Sequence, residues 1–428
     1  MRPEILYRVA ENELLIPLLL GLSLLLVAIS VVHRYTRNFI IPGVAILLFL
    51  GAMLAIGPVI SHEVDKFYGI IENIPGIVYL VIIPILIFES GRKLSIRQMR
   101  KEALPIGYFA IIGVILTILI IGIGVNVIFH VPLIDALLLG TILAATDPVA
   151  VGVIFKKFPI PQRLNTIIEG ESLFNDATGV ISFNVVRGII FSGAVFSLVD
   201  VSLSFIWTMV GAIAFATALG WVGGKILDKM KADEFVDFTF SLGLAIGGFI
   251  VADHFLHISG IVTTLFIAMF IVTQHKEVAT GVRKLFHKYW DYLGIVTNSI
   301  LFFIIGIPLF AAEPYQNSGV ALAIIIVAPF AIMMFSRAAV VYSGSGFLRI
   351  FRVKIPLQWQ NILTIGGLRG GVAVALVLSL SSDYQFKALF ISIVVPLIAI
   401  NLVVNPIVLN QYLKKTSAKM AQSNSTSP

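Results

Sequence analysis

The sequence predicts an all-α polytopic membrane protein of thirteen transmembrane helices, arranged as two inverted six-helix repeats about a linker helix. Three observations carry that prediction. Of 428 residues, 58% are hydrophobic and 12% are charged, against about 25% charged in soluble proteins. So few charges cannot cover so apolar a chain in water. The apolar residues fall into runs of membrane-spanning length, and the lysines and arginines collect in alternate loops between them.

The runs can be justified in order. The first, Leu14–Val32, follows "MRPEILYRVAENE", which has three acids and no small-residue cleavage site, so it reads as a retained helix rather than a signal peptide. Ile40–Ile56, Ile74–Glu89 and Leu104–Phe129 are continuous apolar stretches set apart by polar and basic segments. Leu133–Phe155 is interrupted by "ATDPVA" at 145–150, where Pro148 removes a backbone donor in mid-span. Leu164–Ile190 contains "GESLFNDATGV", a polar patch inside hydrocarbon. Val201–Ile226 is the linker helix. Phe235–Ala252, the short Ile261–Val272, Tyr292–Phe310 and Val320–Tyr342 follow. Trp359–Leu380 is interrupted by "IGGLRGGVA" at 365–373, with four glycines around Arg369. Ala388–Leu409 closes a membrane domain covering 1–413, and the polar segment 414–428 is expected to be a disordered tail. No loop is long enough for a soluble domain.

The loop charges orient the chain. Apart from Arg2, Arg8, Lys66 and Lys387, every lysine and arginine outside the spans falls on one side of the membrane if the count is thirteen. The positive-inside rule makes that side cytoplasmic, so the N-terminus is outside and the C-terminus inside, in the cell membrane. The net charge of +7 is therefore a loop pattern and not a nucleic-acid surface. The absence of cysteine excludes disulfides, thiolate metal sites and cysteine nucleophiles.

An odd helix between two sets of six makes the second set inverted relative to the first. Breaks in the fifth helix of each set (145–150 and 365–373) match the transporter pattern of inverted repeats with discontinuous helices, which places an ion site where those helices cross. A midspan charge costs roughly 2.5–3.5 kcal/mol, so each intramembrane ionisable residue needs a reason. These are Glu89, Asp147, Glu169, Glu171, Asp176, Arg187, Arg337 and Arg369. Arg187 near the outer end snorkels, and Glu169 near the inner end faces cytoplasmic water. The histidines lie mostly in loops or at helix ends.

Asp176 lies about 18 Å into the sixth span at 1.5 Å per residue, near the midplane. Ser172 shares its face at i, i+4, as Glu171 does with Asn175. Asp147 precedes the proline break, where freed carbonyls can join its carboxylate around a cation. Carboxylate, hydroxyl and carbonyl oxygens suit a small hard cation, not an organic anion or a transition metal. A carboxylate in a low-dielectric site holds either a proton or a cation, and that competition is the basis of exchange.

The motifs "TDPVA", "ESLFNDATGV", "FSRA" and "GGLRGGVAVAL", in this order on thirteen helices, resemble the NhaP-type sodium/proton antiporters of the cation–proton antiporter superfamily. The resemblance covers essentially the whole membrane domain and implies the NhaA-like antiporter fold. It implies a homodimer in which a six-helix core slides against a dimerisation domain. It implies that Asp147 and Asp176 bind the cation, helped by Ser172 and the Thr146 carbonyl, with Glu89 reaching it through water. It also implies that Glu171 pairs with Arg337 and locks the core. Arg369 offsets the negative C-terminal ends of the two broken half-helices. Asn175 stands where electrogenic relatives carry an acid, so one-for-one, electroneutral exchange is expected. The substrates would be Na+ (or Li+) and H+, with no cofactor, and K+/H+ exchange on the same scaffold is the alternative.

Other classes lack their signatures. A passive channel would need a TVGYG-like filter, and an intramembrane metalloprotease would need HExxH. Neither is present.

Overall fold

The computed structural model describes residues 15–36, 43–56, 74–147, 149–155, 157–158, 160–192, 198–229, 233–274, 280–307, 319–381 and 383–424. Pro148 and the basic residues Arg2, Arg8 and Lys66 lie outside them. The described residues form helices and connecting turns, with no strand among them.

Each of the thirteen predicted apolar runs carries helix. In chain order these are α1 (Leu15–Thr36), α2 (Gly43–Ile56), α3 (74–91), α4 (Ala103–Phe129), α5 (Leu133–Ile142) and α6 (Val149–Phe155). Then come α7 (Gln162–Ser192), α8 (Leu198–Lys229), α9 (234–255), α10 (Gly260–Gln274) and α11 (Thr280–Gly306). The last are α12 (Gly319–Ile350), α13 (Leu357–Ile365), α14 (Gly371–Leu378) and α15 (Lys387–Asn424). Among the described residues 7 helices are long and apolar enough to cross a membrane singly. The pairs α5/α6 and α13/α14 are the halves of the two interrupted runs.

Several boundaries depart from the sequence expectation. α11 begins at Thr280 rather than Tyr292, because its first turns bury Phe286 and Trp290 while charged residues face outwards. Trp290 stacks on Phe88 of α3 with ring centroids 4.2 Å apart. The segment after 413 does not leave the helix: α15 runs to Asn424. Its sequence "LKKTSAKMAQ" is rich in good helix formers, which an already nucleated helix extends at little cost. α5 ends at Ile142, ahead of the expected break at Pro148.

The helices pack as two groups with the broken helices in one of them. α4 lies against α5, α7 and α12, and α15 lies against α6, α12, α13 and α14. In the other group α10 packs on α3, α8 and α9, and α11 packs on α2, α3 and α9. A Cβ on Gly51 of α2 would collide with the Phe303 carbonyl of α11, and one on Gly306 with the Leu48 carbonyl. These backbones touch as they do at small-residue crossings in membranes, so α11 is held rigidly. The outer surface is apolar: Leu24, Val27, Leu203, Trp207 and Phe335 are all more than half exposed. That composition suits lipid tails and not water.

Candidate functional site

The two interrupted helices meet at their breaks. Residues 143–147 and 366–370 are non-helical, and the Asp147 N–H donates to the Leu368 carbonyl at 2.8 Å, stitching one break to the other. Each break leaves the C-terminal carbonyls of one half-helix and the N-terminal N–H groups of the next without helical partners. Glycine at 370 is required by close approach. A Cβ there would lie 2.7 Å from Asp147 Cγ, so the Asp147 side chain rests against the residue that caps α14.

α7 passes this crossing with its polar patch. Asn175 holds Thr146 at two points: its Oδ1 accepts from the Thr146 N–H at 3.2 Å, and its Nδ2 donates to Thr146 Oγ1 at 2.5 Å. Ser172 Oγ lies 3.0 Å from the same Thr146 hydroxyl. All three residues are buried. Ser172 and Asn175 thus fix the strand of backbone before Asp147, while Asp176, one turn on from Ser172, opens with Asp147 and Thr146 onto a cavity of about 60 Å³. That volume holds a few waters or a small cation. The cavity's far wall comes from the other helical group, with Ser90 of α3 and Asn298 and Leu301 of α11.

The remaining predicted residues are distributed around this centre. Glu171, buried with 1% of its surface exposed, pairs with Arg337 of α12 through both oxygens, Nη2 donating to Oε2 at 3.0 Å and Nη1 to Oε1. Arg337 Nε donates to the Leu363 carbonyl at 3.0 Å, anchoring the end of α13. Arg369 is equally buried in the second break, and its Nε and Nη1 have no hydrogen-bond partner among the described residues. Glu89 does not line the cavity. It pairs with Lys93 and lies 3.5 Å from Arg92, against Gly294 of α11. Arg92 in turn bonds Asp291 and donates to His287 Nδ1 at 2.7 Å. Arg187 is exposed and Glu169 half-buried.

Two polar side chains of the cavity were not singled out from the sequence, Ser90 and Asn298. Asn298 had a signal of the same kind as Asn175, an amide in an apolar run ("IVTNSILFF").

Comparison with known proteins adds to this geometry. Residues 21–415 match the family described as sodium/hydrogen exchanger, transmembrane. The chain is 30% identical over 348 residues to the Na(+)/H(+) antiporter NhaP of Pseudomonas aeruginosa, covering 77% of this chain and 80% of that one. It is 28% identical over 375 residues to the Na(+)/H(+) antiporter ApNhaP of Aphanothece halophytica, covering 87% and 68%. The fold matches that of the sodium proton antiporter MjNhaP1 from Methanocaldococcus jannaschii with a TM-score of 0.74 at 19% identity, over 94% of this chain and 98% of that one.

Proposed function

The chain belongs to the transmembrane sodium/hydrogen exchanger family, and from that premise we propose that it is a secondary transporter, not an enzyme, exchanging Na+ or Li+ for H+ across the membrane. The single observation that carries the proposal is the placement of two carboxylates, Asp147 and Asp176, on one small cavity where two broken helices cross.

The mechanism follows from what those groups can hold. Asp176 and Asp147 bind the cation, or release it when protonated, because the cavity's low dielectric penalises an uncompensated negative charge. The Thr146 carbonyl and the Ser172 hydroxyl, which does not line the cavity but bonds the Thr146 hydroxyl, complete an oxygen set suited to a hard cation. Asn175 holds the break in place and carries no proton. The Glu171–Arg337 pair stiffens the group that carries the aspartates, and Arg369 offsets the carbonyl ends of α5 and α13. Glu89, held by Lys93 and Arg92, acts from the rim and reaches the cation only through water.

Because the cavity lies between the two helical groups, relative movement of the groups exposes it to one side of the membrane and then the other. The two breaks, at corresponding positions of the two sets of six spans, support an inverted-repeat architecture of thirteen spans with the N-terminus outside. The exposed apolar faces of α1 and α8 leave room for lipid and for a second copy, in keeping with a homodimer. The test is Na+-driven proton movement in vesicles containing the purified protein. Saturable exchange that is lost in Asp176→Asn supports the reading, and retained exchange in that variant overturns it.

A further inference from the structure

We propose that Asn298 is a further ligand of the transported cation, supplying an uncharged oxygen from the helical group opposite the aspartates and setting which monovalent cation the site accepts. The inference rests on the reading of the cavity as the cation site.

Asn298 sits on α11 with 5% of its surface exposed, and its Oδ1 has no hydrogen-bond partner among the described residues. A buried, unsatisfied carbonyl oxygen is uncommon and calls for a partner. Asn298 lines the same cavity as Asp147 and Asp176. An amide oxygen accepts hydrogen bonds and donates none, so it cannot pair with an ionised carboxylate. Acceptors from two sides converging on one small space are jointly satisfied by a positive charge placed among them.

The position of Asn298 gives this oxygen a different part from the carboxylates. It carries no charge and no titratable proton, so it adds affinity for a cation without adding a second site for H+. It is also fixed: α11 is pressed backbone to backbone on α2 at Gly51 and Gly306, so the oxygen does not follow the ion inwards or outwards. A rigid ligand discriminates by ionic radius, because a cation of the wrong size loses contact or crowds. Asp147, Thr146 and Asp176 lie on the broken-helix group, so the cation bridges the two groups while it is bound.

The experiment measures exchange in proteoliposomes at several pH values with NaCl, LiCl and KCl, for wild type, Asn298→Ala, Asn298→Leu, Asn298→Asp and Asp176→Asn. Asn298→Leu keeps the volume and removes the oxygen, and Asn298→Asp keeps an oxygen. The expected result is a rise of about ten-fold in the Na+ concentration for half-maximal exchange in the Ala and Leu variants. The preference among Na+, Li+ and K+ should narrow in both, and Na+ affinity should return in the Asp variant at high pH. Unchanged half-saturation in Ala and Leu, with Asp176→Asn inactive, overturns the role of Asn298 alone. A shift confined to the pH profile and equal for all three cations overturns it too, since Asn298 would then orient a carboxylate rather than contact the ion. Active Asp176→Asn instead overturns the underlying site. Thermal unfolding of each purified variant identifies any that fails to fold, and the remaining Asn298 variants decide the outcome.

Discussion

Glu171 and Asp176 stand little more than one turn apart on the same helix, yet their surroundings differ in kind. Glu171 has both oxygens taken by the Arg337 guanidinium and is sealed from solvent. Asp176 faces a cavity shared with a second aspartate, a hydroxyl and an amide. The pair at Glu171 is neutral as a unit and joins α7 to α12, so it costs and gains energy only through folding. Asp147 and Asp176 line a cavity instead, and on the proposed reading that is where Na+ and H+ arrive. Burial in hydrocarbon therefore does not by itself mark a transport residue. On the proposed reading the distinction is between a carboxylate closed off by a guanidinium and one that opens onto a cavity a cation can enter.

The largest effect expected from this contrast is loss of function without loss of fold. Asp176→Asn or Asp147→Asn removes a cation ligand and a titratable oxygen while preserving shape, so Na+-driven proton flux should fall to background and the thermal unfolding midpoint should stay at or above that of wild type. An Asp176→Asn protein that still exchanges would erase the contrast.

The reverse result is expected one turn away. Glu171→Gln leaves Arg337 buried with its carboxylate gone, which costs about 3–5 kcal/mol. Thermal unfolding should show this directly, and Na+ affinity of the protein that remains folded should be near wild type. A variant as stable as wild type that binds no Na+ would instead make Glu171 a ligand.

A smaller effect belongs to the amide between them. Asn175→Ala leaves the Thr146 N–H without its partner and the Thr146 hydroxyl with Ser172 alone, a loss of about 1–3 kcal/mol at a position that shapes the break. Exchange should slow and the half-saturating Na+ concentration should rise, while Thr146→Ala in the same background should add less than it does alone, because the two share the amide–hydroxyl bond. Full additivity of the two substitutions would separate them.

How much of this was legible in the sequence varies with the range of the interaction concerned. The helices were legible because most of them are continuous apolar runs, and both breaks because proline and clustered glycines announce them. The exact end of α5 was not, because a tertiary contact decides it: the Asp147 N–H bonds Leu368 rather than its own helix. The aspartates could be named as a pair, but not which residues would stand opposite. Asn298 comes from a distant helix whose apolar run gave no reason to prefer it over Thr297 or Ser299. Glu89 shows the opposite case. Its Lys93 partner at i, i+4 was in plain view, and that local pairing engages its carboxylate away from the cavity lining. The helical continuation to Asn424 reflects propensity outweighing polarity once a long helix already exists.

The last expectation is a null effect, and it sharpens the comparison most. Exchange should be electroneutral, one Na+ for one H+. The amide of Asn175 spends its acceptor and donor on Thr146 and carries no charge. The Glu171–Arg337 pair is neutral whether or not the site is filled. Only the cavity aspartates change partner, so replacing one Na+ by one H+ leaves the charge of the moving group unaltered. Membrane voltage then exerts no net force on the cycle, since the work on a transported charge is about 2.3 kcal/mol per 100 mV and the net charge moved is zero. The measurement is Na+-driven proton movement in vesicles with and without a potassium–valinomycin clamp. Equal extents at every clamped potential are expected, with no Na+-dependent voltage in unclamped vesicles. An equilibrium that moves with the imposed potential would mean that a second charge travels with the core. Asn175→Asp is the variant to examine beside it, because it places a second acid next to Asp176. If the contrast between built-in and arriving charge is right, that single change should introduce a voltage dependence that wild type lacks.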